Sequence, residues 1–420
     1  MPERARHDSE GSSSGRGGET NVIDVLVIGA GAAGIVAART LHDAGRDVLM
    51  IEARDHVGGR ARTWSHDDMR FDLGCGWLHS ARRNPWTGIA RARGFTLATD
   101  TARWGEQWRD LGFPPDERRA FAAAYDSFEA RARAAADGPD RPLFDFVNPG
   151  DRWAERLEAI SGYVNGAALA ATSLHDWLAY DEAATDDDWS VREGYGALVA
   201  DHARDLTIHT GVAATRIDRS GRRLRVETSA GTIEADAVVV AVPTRVLAEE
   251  RLTFDPPLPD KHDAAAALPL GLADKVFLAV DGPDWPREAH LTGSPDDRRT
   301  GSYRLSPYGW PAIEGFFGGD GAAAVEREGA GFAIDELVAL LGSDWRPRLH
   351  PLRVTHWSQE PWIGGSYSHA RVGHAGARAV LAAPVDGRLF FAGEACSRTD
   401  FSTAHGAYET GVAAAAAILG

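Results

Sequence analysis

The pattern of apolar and polar residues is clearest near the beginning of the chain, between Val22 and Arg54. An apolar run, a glycine-rich turn, an alanine-rich stretch and a second apolar run follow one another in VIDVLVIGAGAAGIVAARTLHDAGRDVLMIEAR. Short apolar runs bounded by turn residues favour buried strands, and the longer stretch between them favours a helix. This order predicts a strand, a turn, a helix and a second strand, which is the start of an α/β domain.

The glycine-rich turn carries a recognisable spacing, GxGxxG, formed by Gly29, Gly31 and Gly34, with Ala33 before the last glycine. Glycines there let the backbone turn tightly, approach a pyrophosphate and pack the helix against the strand. Glu52 ends the second strand about 20 residues later, where a carboxylate can accept hydrogen bonds from an adenosine ribose. The segment therefore predicts a Rossmann-like dinucleotide-binding domain, although the motif alone does not separate NAD from FAD.

Further alternations of pattern occur in the middle and at the end of the chain. Residues 192–245 include several β-rich stretches separated by SG and AG turns, and RLFFAG at 388–393 predicts another strand. The alanine-rich stretch from about Ala404 onward predicts a helix whose small residues allow close packing. Residues 81–191 show helical spacing, whereas residues 259–385 mix strands, glycine turns and aromatic residues.

These segments predict an α/β fold in which a Rossmann-like domain is interleaved with an α+β substrate domain. The beginning of the chain is polar and rich in Gly and Ser, which is typical of a disordered tail. The predicted boundaries are 1–20 for the tail, 21–80, 192–258 and 386–420 for the dinucleotide-binding domain, and 81–191 and 259–385 for the substrate-binding domain.

A second glycine motif follows the acid directly. ARDHVGGRART contains Gly58, Gly59 and Arg60; the glycines permit close backbone approach, and Arg60 supplies a bidentate donor for phosphate. With this motif the sequence resembles the flavin-containing amine oxidases, in which the second glycine pair and the arginine cradle the pyrophosphate of FAD. The resemblance therefore implies FAD as the cofactor.

The resemblance also assigns residues elsewhere in the chain to the cofactor. In this family the acid at the position of Glu394 contacts the ribityl chain, and the helix that follows points its N-terminus at the pyrimidine edge of the flavin, where a positive helix end stabilises the reduced ring. For Arg54 a solvated surface charge is the alternative. The cofactor residues implied in this way are Gly29, Gly31, Ala33, Gly34, Glu52, Ala53, Arg54, Gly58, Gly59, Arg60, Gly74, Cys75, Gly76, Trp77, Ala214, Trp357, Gly393, Glu394, Thr403 and Ala404.

Two departures from the monoamine oxidases affect how FAD is held. Those enzymes have a cysteine bonded covalently to FAD directly before a cage tyrosine, but here Ser366 precedes Tyr367. A serine hydroxyl cannot form that thioether, so non-covalent FAD is predicted. The second cage tyrosine falls on Thr403, and STAHGA at 402–407 is more similar to the polyamine oxidases.

PLGLADKVFLAV at 269–280 places Lys275 in an apolar, strand-like run. Only Lys261 and Lys275 are lysines among the 45 Lys and Arg residues, so Lys275 is unusual. One interpretation is an edge-strand lysine that faces water. The resemblance implies another, because flavin-containing amine oxidases carry a lysine here that is hydrogen-bonded through a water to flavin N5. In that role Lys275 would be catalytic and would position the water that meets dioxygen.

Two further segments resemble the substrate region of the family. In DLGCGWLHSARRNPW, Trp77 and His79 take positions that face the substrate in polyamine oxidases, where a histidine can orient an amine nitrogen. In HWSQEPWIGGSYSHA, Tyr367 takes the position of a substrate-cage aromatic and Trp357 a supporting one, and aromatic faces orient amines by cation–π attraction. A core tryptophan is the alternative for Trp77, and a hydrogen-bonded loop histidine is the alternative for His79.

The composition of the 420 residues, 44% hydrophobic and 25% charged, is that of a globular protein. A formal charge of −16 disfavours a nucleic-acid partner and favours a small cationic ligand.

No apolar run reaches the roughly 18 residues that a membrane span needs, so no membrane partner is predicted. Cys75 and Cys396 are too few for a disulfide framework or a closed zinc site, so we predict a cytoplasmic protein without a metal.

Together these observations predict an FAD-dependent amine oxidase. Hydride would leave the carbon beside a neutral amine for flavin N5, giving an imine, and dioxygen would reoxidise the flavin to give peroxide. Polyamines or other secondary amines are the first expectation for the substrate. The alternatives are an FAD-dependent desaturase of carotenoid or porphyrinogen type and a non-catalytic flavoprotein, and the sequence leaves a homodimer open.

Overall fold

A computed structural model of the protein describes residues 23–100 and 103–420. The predicted disordered tail, residues 1–20, lies outside the described residues. The strands of the described part are β1 (Ile23–Ile28), β2 (Val48–Glu52), β3 (Thr63–His66), β4 (Met69–Asp72), β5 (Trp77–Leu78), β6 (Leu97–Ala98), β7 (Trp189–Val191), β8 (Ile208–Thr210), β9 (Ala214–Asp218), β10 (Leu224–Thr228), β11 (Gly231–Val240), β12 (Thr253–Asp255), β13 (Ala273–Val280), β14 (Ala289–Thr292), β15 (Ser302–Leu305), β16 (Ala312–Gly318), β17 (Leu349–Val354) and β18 (Leu389–Phe391). The α-helices are α1 (Ala32–Asp43), α2 (Pro85–Arg93), α3 (Pro115–Ala134), α4 (Ala154–Asn165), α5 (Leu174–Ala183), α6 (Tyr195–His202), α7 (Thr244–Ala248), α8 (Pro259–Ala267), α9 (Asp320–Glu328), α10 (Ala330–Leu341), α11 (Ala377–Ala382) and α12 (Ala404–Leu419).

The largest sheet has eight strands in the order β12-β9-β10-β11-β1-β2-β8, with β18 beside β11. Its centre is parallel, with Val27 of β1 opposite Met50 of β2 and Val239 of β11. These three side chains are buried, as expected for a parallel sheet that is covered on both faces. The predicted α/β Rossmann-like fold is confirmed, and the β-rich stretch after residue 192 supplies four of the strands.

Helices α1 and α12 pack closely against each other beside this sheet. A Cβ atom on Gly411 of α12 would overlap the carbonyl oxygen of Ala33 in α1, so glycine is required where the helices approach. Ile35 of α1, Ala414 of α12 and Val27 of β1 belong to one buried core. The predicted alanine-rich helix is confirmed as α12, and its small residues explain the short distance between the helices.

The parallel sheet also explains where the dinucleotide motif lies. The turn at Gly29 follows β1, Glu52 ends β2, and Gly393 and Glu394 follow β18. Because β1, β2, β11 and β18 are mutually parallel, these residues meet at the same edge of the sheet. Ligands of open α/β sheets bind outside this carboxyl edge.

A second sheet has five antiparallel strands in the order β14-β15-β16-β13-β17. Strand β13 is interior, because it pairs with β16 on one side and with β17 on the other. The interpretation of Lys275 as an edge-strand residue is therefore wrong. Val276, Leu278 and Ile313 of this sheet share a core with Val325 of α9 and Leu337 of α10. Since side chains alternate along a strand, Lys275 lies on the opposite face.

Two smaller sheets, β3-β4 and β5-β7-β6, complete the described strands. β5 belongs to the predicted dinucleotide segment 21–80, but it pairs with β7 from the predicted substrate segment 81–191. The domain boundaries stay a prediction. None of the helices in residues 23–100 and 103–420 has the length and apolar character that crossing a bilayer requires.

Candidate active site

The GxGxxG turn leaves open space in front of helix α1. Gly29 has φ +101°, and a Cβ on it would lie 2.5 Å from the carbonyl oxygen of Ala241. A Cβ on Gly34 would overlap the carbonyl oxygen of Gly29, so both glycines are required by backbone packing. By contrast, a Cβ on Gly31 would meet nothing within 4 Å. This open position at a helix N-terminus fits the pyrophosphate of a dinucleotide.

Glu52 is held rigidly beside the turn. Its Oε2 accepts a hydrogen bond of 2.7 Å from the backbone N–H of Ala30, and its Oε1 accepts one of 3.0 Å from that of Arg54. The backbone N–H of Val212 donates to the carbonyl of Glu52 at 2.8 Å, which brings the strand that begins at Ala214 close to the acid. Each carboxylate oxygen retains a lone pair for a ribose hydroxyl.

Arg54 is buried, with 8% of its surface exposed, so the solvated-charge alternative for it is wrong. Its Nη1 donates a hydrogen bond of 3.1 Å to the carbonyl of Gly59, and its Nη2 lies 3.2 Å from Oε2 of Glu360. Burial lowers the pKa of the guanidinium from its ordinary value. Four residues after Arg54, the N–H of Gly58 donates to the carbonyl of Ala30 at 2.7 Å and joins the two glycine motifs.

An ion pair joins the two ends of the chain. Nη1 of Arg60 donates a hydrogen bond of 2.9 Å to Oε1 of Glu394, and it also donates one of 2.5 Å to the carbonyl of Ser366. The other oxygen of Glu394 accepts from the hydroxyl of Ser368 at 2.7 Å and from the N–H of Ser402 at 3.0 Å. Burial raises the pKa of Glu394, but Arg60, Arg378 and the Ser368 hydroxyl outweigh burial and hold it below its ordinary range. The predicted cofactor residues Arg60 and Glu394 are thus in direct contact.

Lys275 lies against the loop that carries Gly74, Cys75 and Gly76. Its Nζ donates hydrogen bonds to the carbonyl of Asp72 at 2.9 Å and to Oε1 of Glu314 at 2.6 Å. A Cβ on Gly76 would lie 3.2 Å from this Nζ, so the loop passes directly over the ammonium. Only 5% of the surface of Lys275 is exposed, so it is not a solvated surface charge. Sequence reasoning missed Glu314.

The same loop touches Trp357 and Arg60. Nε1 of Trp357 donates a hydrogen bond of 3.1 Å to the carbonyl of Leu73, and a Cβ on Gly74 would lie 3.3 Å from Cζ2 of Trp357. That Cβ would also overlap the carbonyl oxygen of Arg60, which accepts from the N–H of Cys75 at 3.3 Å. Trp357 is buried in a core with Phe71 and Leu73, so it supports the loop from the side of the protein core.

Tyr367 and Thr403 each have a local partner. The hydroxyl of Tyr367 donates to the carbonyl of Tyr163, and burial raises its pKa, so the phenol is neutral. Thr403 caps α12: its Oγ1 accepts from the N–H of Gly406 at 3.0 Å and donates to the carbonyl of Asp400 at 2.6 Å. The carbonyl of Ala404, the next residue, accepts from Nε1 of Trp86 at 3.0 Å. Thr403 therefore fixes the start of the C-terminal helix.

Trp77 and His79 share one aromatic neighbour. The ring centroid of Trp104 lies 5.3 Å from that of Trp77 and 6.2 Å from that of His79. Trp77 is half-buried and lines a pocket, so it is not a core residue. Nδ1 of His79 lies 2.6 Å from Oδ1 of Asp188, which orients the half-buried imidazole.

The pocket beside Trp77 has a volume of about 280 Å³. Its lining residues come from strands β14 and β15, the loop before β14, the short turn at 307–309, and residues 96–100, 103–104 and 190–192. Its lining residues are Trp77, Thr96, Leu97, Ala98, Thr99, Asp100, Arg103, Trp104, Ser190, Arg192, Arg287, Glu288, Ala289, His290, Arg304 and Tyr308.

Charged residues inside the antiparallel sheet connect this pocket with Lys275. Glu314 lies in the apolar strand AIEGFFG and Arg304 in SYRL, and Nη1 of Arg304 is 3.9 Å from Oε2 of Glu314. Cζ of Arg304 lies 4.9 Å from the ring centroid of Trp77. Isolated charges in apolar strands were the available signal for both residues, as they were for Lys275.

Comparison with known proteins defines the family. The model for flavin containing amine oxidoreductases matches residues 131–419, and a model for NAD(P)-binding Rossmann-like domains matches residues 27–91. The chain belongs to the flavin-containing amine oxidoreductase family.

Relatives of this family member cover nearly its whole length. Polyamine oxidase 2 of Arabidopsis thaliana is 30% identical, across 96% of this chain and 89% of the relative. Lysine-specific histone demethylase 2 of Homo sapiens is 27% identical, across 94% of this chain but only 53% of the relative. A solved structure of a redesigned putrescine oxidase superimposes with a TM-score of 0.77 at 20% identity, covering 94% of this chain and 98% of that one. The last comparison shows a shared fold.

Family membership confirms two predictions, FAD as the cofactor and amine oxidation as the reaction class. The desaturase alternative is not favoured by these relatives. The residues of the site fit the cofactor on structural grounds as well, because Gly31 faces open space and Arg60 and Glu394 form a charged pair at the same edge of the sheet. Which residues touch FAD and substrate stays a prediction.

Proposed function

We propose that the protein oxidises the C–N bond of a primary or secondary amine to an imine, with dioxygen as the final electron acceptor and hydrogen peroxide as a product. The observation that carries the proposal is the position of Lys275, a buried lysine against the Gly74–Gly76 loop, which Trp77 follows in the chain. FAD, when bound, supplies the acceptor for the hydride. The chain supplies binding, orientation and exclusion of water.

The cofactor would be held along the carboxyl edge of the large sheet. The open N-terminus of α1 at Gly31 and the side chain of Arg60 suit the pyrophosphate, and Glu52 suits the adenosine ribose. Glu394, paired with Arg60, suits the ribityl chain, and the capped start of α12 at Thr403 suits the pyrimidine edge of the flavin. Non-covalent binding is part of this proposal.

Residues on the other side of the Gly74–Gly76 loop would handle the amine. Trp77 offers an aromatic face, and His79, oriented by Asp188, can hydrogen-bond the amine nitrogen. Tyr367 remains a neutral phenol because burial raises its pKa. Lys275, whose Nζ is hydrogen-bonded to Glu314, would hold a water at the reaction centre and position dioxygen there.

Similarity to the polyamine oxidases supports a polyamine as one substrate class to test. A cytoplasmic location is proposed from the low cysteine content alone. A homodimer stays a prediction, since the structure describes a single chain.

The direct test mixes the holoenzyme with a panel of primary, secondary and polyamines under anaerobic conditions. We expect at least one amine to bleach the flavin absorbance, and we expect air to restore it with release of hydrogen peroxide. A non-catalytic flavoprotein would behave differently: light would reduce its flavin and air would reoxidise it, but no amine would bleach it.

A further inference from the structure

Arginines outnumber carboxylates among the residues that line the pocket beside Trp77. Four arginines line it against two carboxylates, although acidic residues outnumber basic residues 61 to 45 in the sequence. His290 adds no positive charge near neutral pH, because burial lowers its pKa to about 4. Two carboxylates outside the lining also face these arginines: Oε2 of Glu106 lies 3.4 Å from Nη1 of Arg103, and Oε2 of Glu314 lies 3.9 Å from Nη1 of Arg304. The charged residues of the pocket lining are Asp100, Arg103, Arg192, Arg287, Glu288 and Arg304.

Both carboxylates of the pocket are already engaged by arginines. Glu288 accepts hydrogen bonds from Nε of Arg304 at 2.5 Å and from Nη2 at 3.0 Å, and it also accepts one of 2.6 Å from the N–H of Tyr308. Asp100 lies 3.3 Å from Nη2 of Arg287. Neither acid offers an uncompensated charge to a second ammonium group of a ligand.

Among the described residues, Arg103, Arg287 and Arg304 each have an acidic partner, whereas Arg192 has none. Arg192 is exposed at the pocket, and its Cζ lies 5.8 Å from the ring centroid of Tyr308 and 5.9 Å from that of Trp310. Within residues 23–100 and 103–420, no carboxylate oxygen lies within 4.0 Å of its side-chain nitrogens. A planar guanidinium with free donors on an aromatic platform is suited to a bidentate carboxylate.

Three residues in or next to the pocket have strained backbone. Glu288, Ser306 and Tyr308 have φ values of +60°, +46° and +54°, a region that non-glycine residues rarely occupy. They are hydrogen-bonded to one another: the N–H of Glu288 donates to the carbonyl of Ser306 at 3.2 Å, and the N–H of Tyr308 donates to Oε1 of Glu288 at 2.6 Å. The hydroxyl of Tyr308 donates to the carbonyl of Val191, the residue before Arg192, at 3.1 Å. Strain of this kind gathers at ligand sites, where rigid placement of a side chain compensates its cost.

Trp77 lines the pocket and directly follows the loop that lies against Lys275. Arg304 packs over Trp77 with its Cζ 4.9 Å from the ring centroid, and Trp77 follows directly after Gly76, which covers Lys275. A ligand that lies along Trp77 would have one end near Arg192 and the other end near the Gly74–Gly76 loop.

We infer that the amine substrate carries a carboxylate at the end remote from the oxidised nitrogen, and that Arg192 binds this carboxylate in the pocket beside Trp77. The inference rests on the proposed amine oxidase function and narrows its substrate class to ω-amino acids or larger amines of that kind. A diamine would instead place its second ammonium beside the guanidinium of Arg192, which has the same sign, and this selects against it.

Three probes of equal length isolate the charge of the remote group: 6-aminohexanoate, hexylamine and 1,6-diaminohexane. Each is tested with the holoenzyme, and the series is repeated with shorter and longer chains, since pocket depth selects length. We expect kcat/KM for the amino acid of the best length to exceed that of the diamine by about tenfold or more. A preference for the diamine, or equal treatment of the amino acid and the monoamine at every length, would overturn the inference.

The variant Arg192→Gln assigns the effect to one residue. We expect KM for 6-aminohexanoate to rise by about tenfold and KM for hexylamine to change by less than about twofold. Arg222→Gln is the matched control, because Arg222 is an exposed arginine in the turn between β9 and β10. If Arg192→Gln leaves both KM values unchanged, Arg192 is not the carboxylate ligand.

A binding measurement separates this inference from the proposed function. Calorimetric titration of the holoenzyme with hexanoate, which contains no amine, should show binding to the wild type and weaker binding to Arg192→Gln. If no amine is oxidised but hexanoate binds in this way, the amine oxidase proposal fails and the anion subsite stands. If amines are oxidised but hexanoate does not bind in competition with them, the subsite is overturned and the oxidase stands.

Discussion

Nζ of Lys275 donates a hydrogen bond of 2.6 Å to Oε1 of Glu314, across two neighbouring strands of the antiparallel sheet. Both side chains are almost completely buried, with 6% and 13% of their side-chain surface exposed. Opposite charges in such a setting compensate each other, and removing one partner leaves the other buried without a counter-charge. The function of Lys275 can therefore be tested cleanly only when Glu314 is considered with it.

We predict that Lys275→Met slows reoxidation of the reduced flavin by dioxygen by about tenfold or more, which corresponds to about 1.4 kcal/mol of barrier. Lys275 would hold the water at the reaction centre, whereas reduction by an amine depends on Trp77, Tyr367 and exclusion of water. Reduction should therefore change less. Stopped-flow absorbance measures the two half-reactions separately.

The double variant Lys275→Met, Glu314→Gln is the control for stability, because it removes both charges of the pair. It should fold at least as well as Lys275→Met and show the same slow reoxidation. If reoxidation runs at the wild-type rate in both variants, Lys275 is a structural residue of the sheet and has no part in the reaction with dioxygen.

A second prediction concerns Glu52, whose oxygens accept hydrogen bonds from the N–H groups of Ala30 and Arg54. Glu52→Ala should weaken FAD affinity by ten- to a hundredfold, since hydrogen bonds to a charged group contribute roughly 1.5–3 kcal/mol. The absorbance spectrum at saturation should not change, because the carboxylate lies at the ribose end. Titration of the apoprotein with FAD measures the affinity.

Glu52→Gln separates the ribose contact from support of the loop, because the amide still accepts from a backbone N–H. We expect this variant to lie between the wild type and Glu52→Ala. Glu328→Gln, at an exposed glutamate in α9, is the matched control. Wild-type affinity in Glu52→Ala would mean that Glu52 is not a ribose ligand.

The Rossmann-like half of the fold was predictable because its signals are local. Gly29, Gly34 and Glu52 lie within one strand-turn-helix-strand unit, and each is required by a contact inside that unit or by its place at the end of a strand. Local spacing determines such positions, so a short stretch of sequence is enough to predict them.

The cluster of charged side chains around Lys275 was not predictable in the same way. Glu288, Arg304 and Glu314 come together through the register of antiparallel strands whose connections vary in length. Spacing along the sequence does not determine that register. The sequence showed only that Lys275 is a charged residue in an apolar strand. It did not show that Glu314, in another apolar strand, supplies the opposite charge.

A third prediction is that FAD is released by acid precipitation, leaving a colourless pellet. Ser366 replaces the cysteine that would form a thioether, and the two thiols of the chain are poor nucleophiles. Burial, reinforced by Asp72 at Cys75 and by Glu394 at Cys396, raises the pKa of both thiols to about 12. Flavin that stays with the washed pellet would contradict non-covalent binding, and peptide mapping would then identify the attached residue.

The last prediction concerns pH and the buried His290. Its Nδ1 donates a hydrogen bond of 2.9 Å to the carbonyl of Glu106, and its Nε2 accepts one of 2.8 Å from the hydroxyl of Ser302. Both ring nitrogens are thus satisfied in the neutral form, and burial lowers the pKa from 6.5 to about 4.

Between these two pKa values the unfolded chain binds a proton at this position and the native protein does not. The free energy of unfolding therefore rises with pH across the window and is lost as the pH falls from about 6.5 towards about 4. The loss of unfolding free energy attributable to His290 should reach about 2 kcal/mol near pH ~5.

Urea unfolding of the wild type and of His290→Gln at several pH values measures this loss. The variant should be less stable at neutral pH but should lose less stability on acidification, whereas His209→Gln, at an exposed histidine, should follow the wild type. Parallel pH profiles for wild type and His290→Gln would show that His290 titrates alike in the native and unfolded states, and the buried neutral imidazole would be excluded.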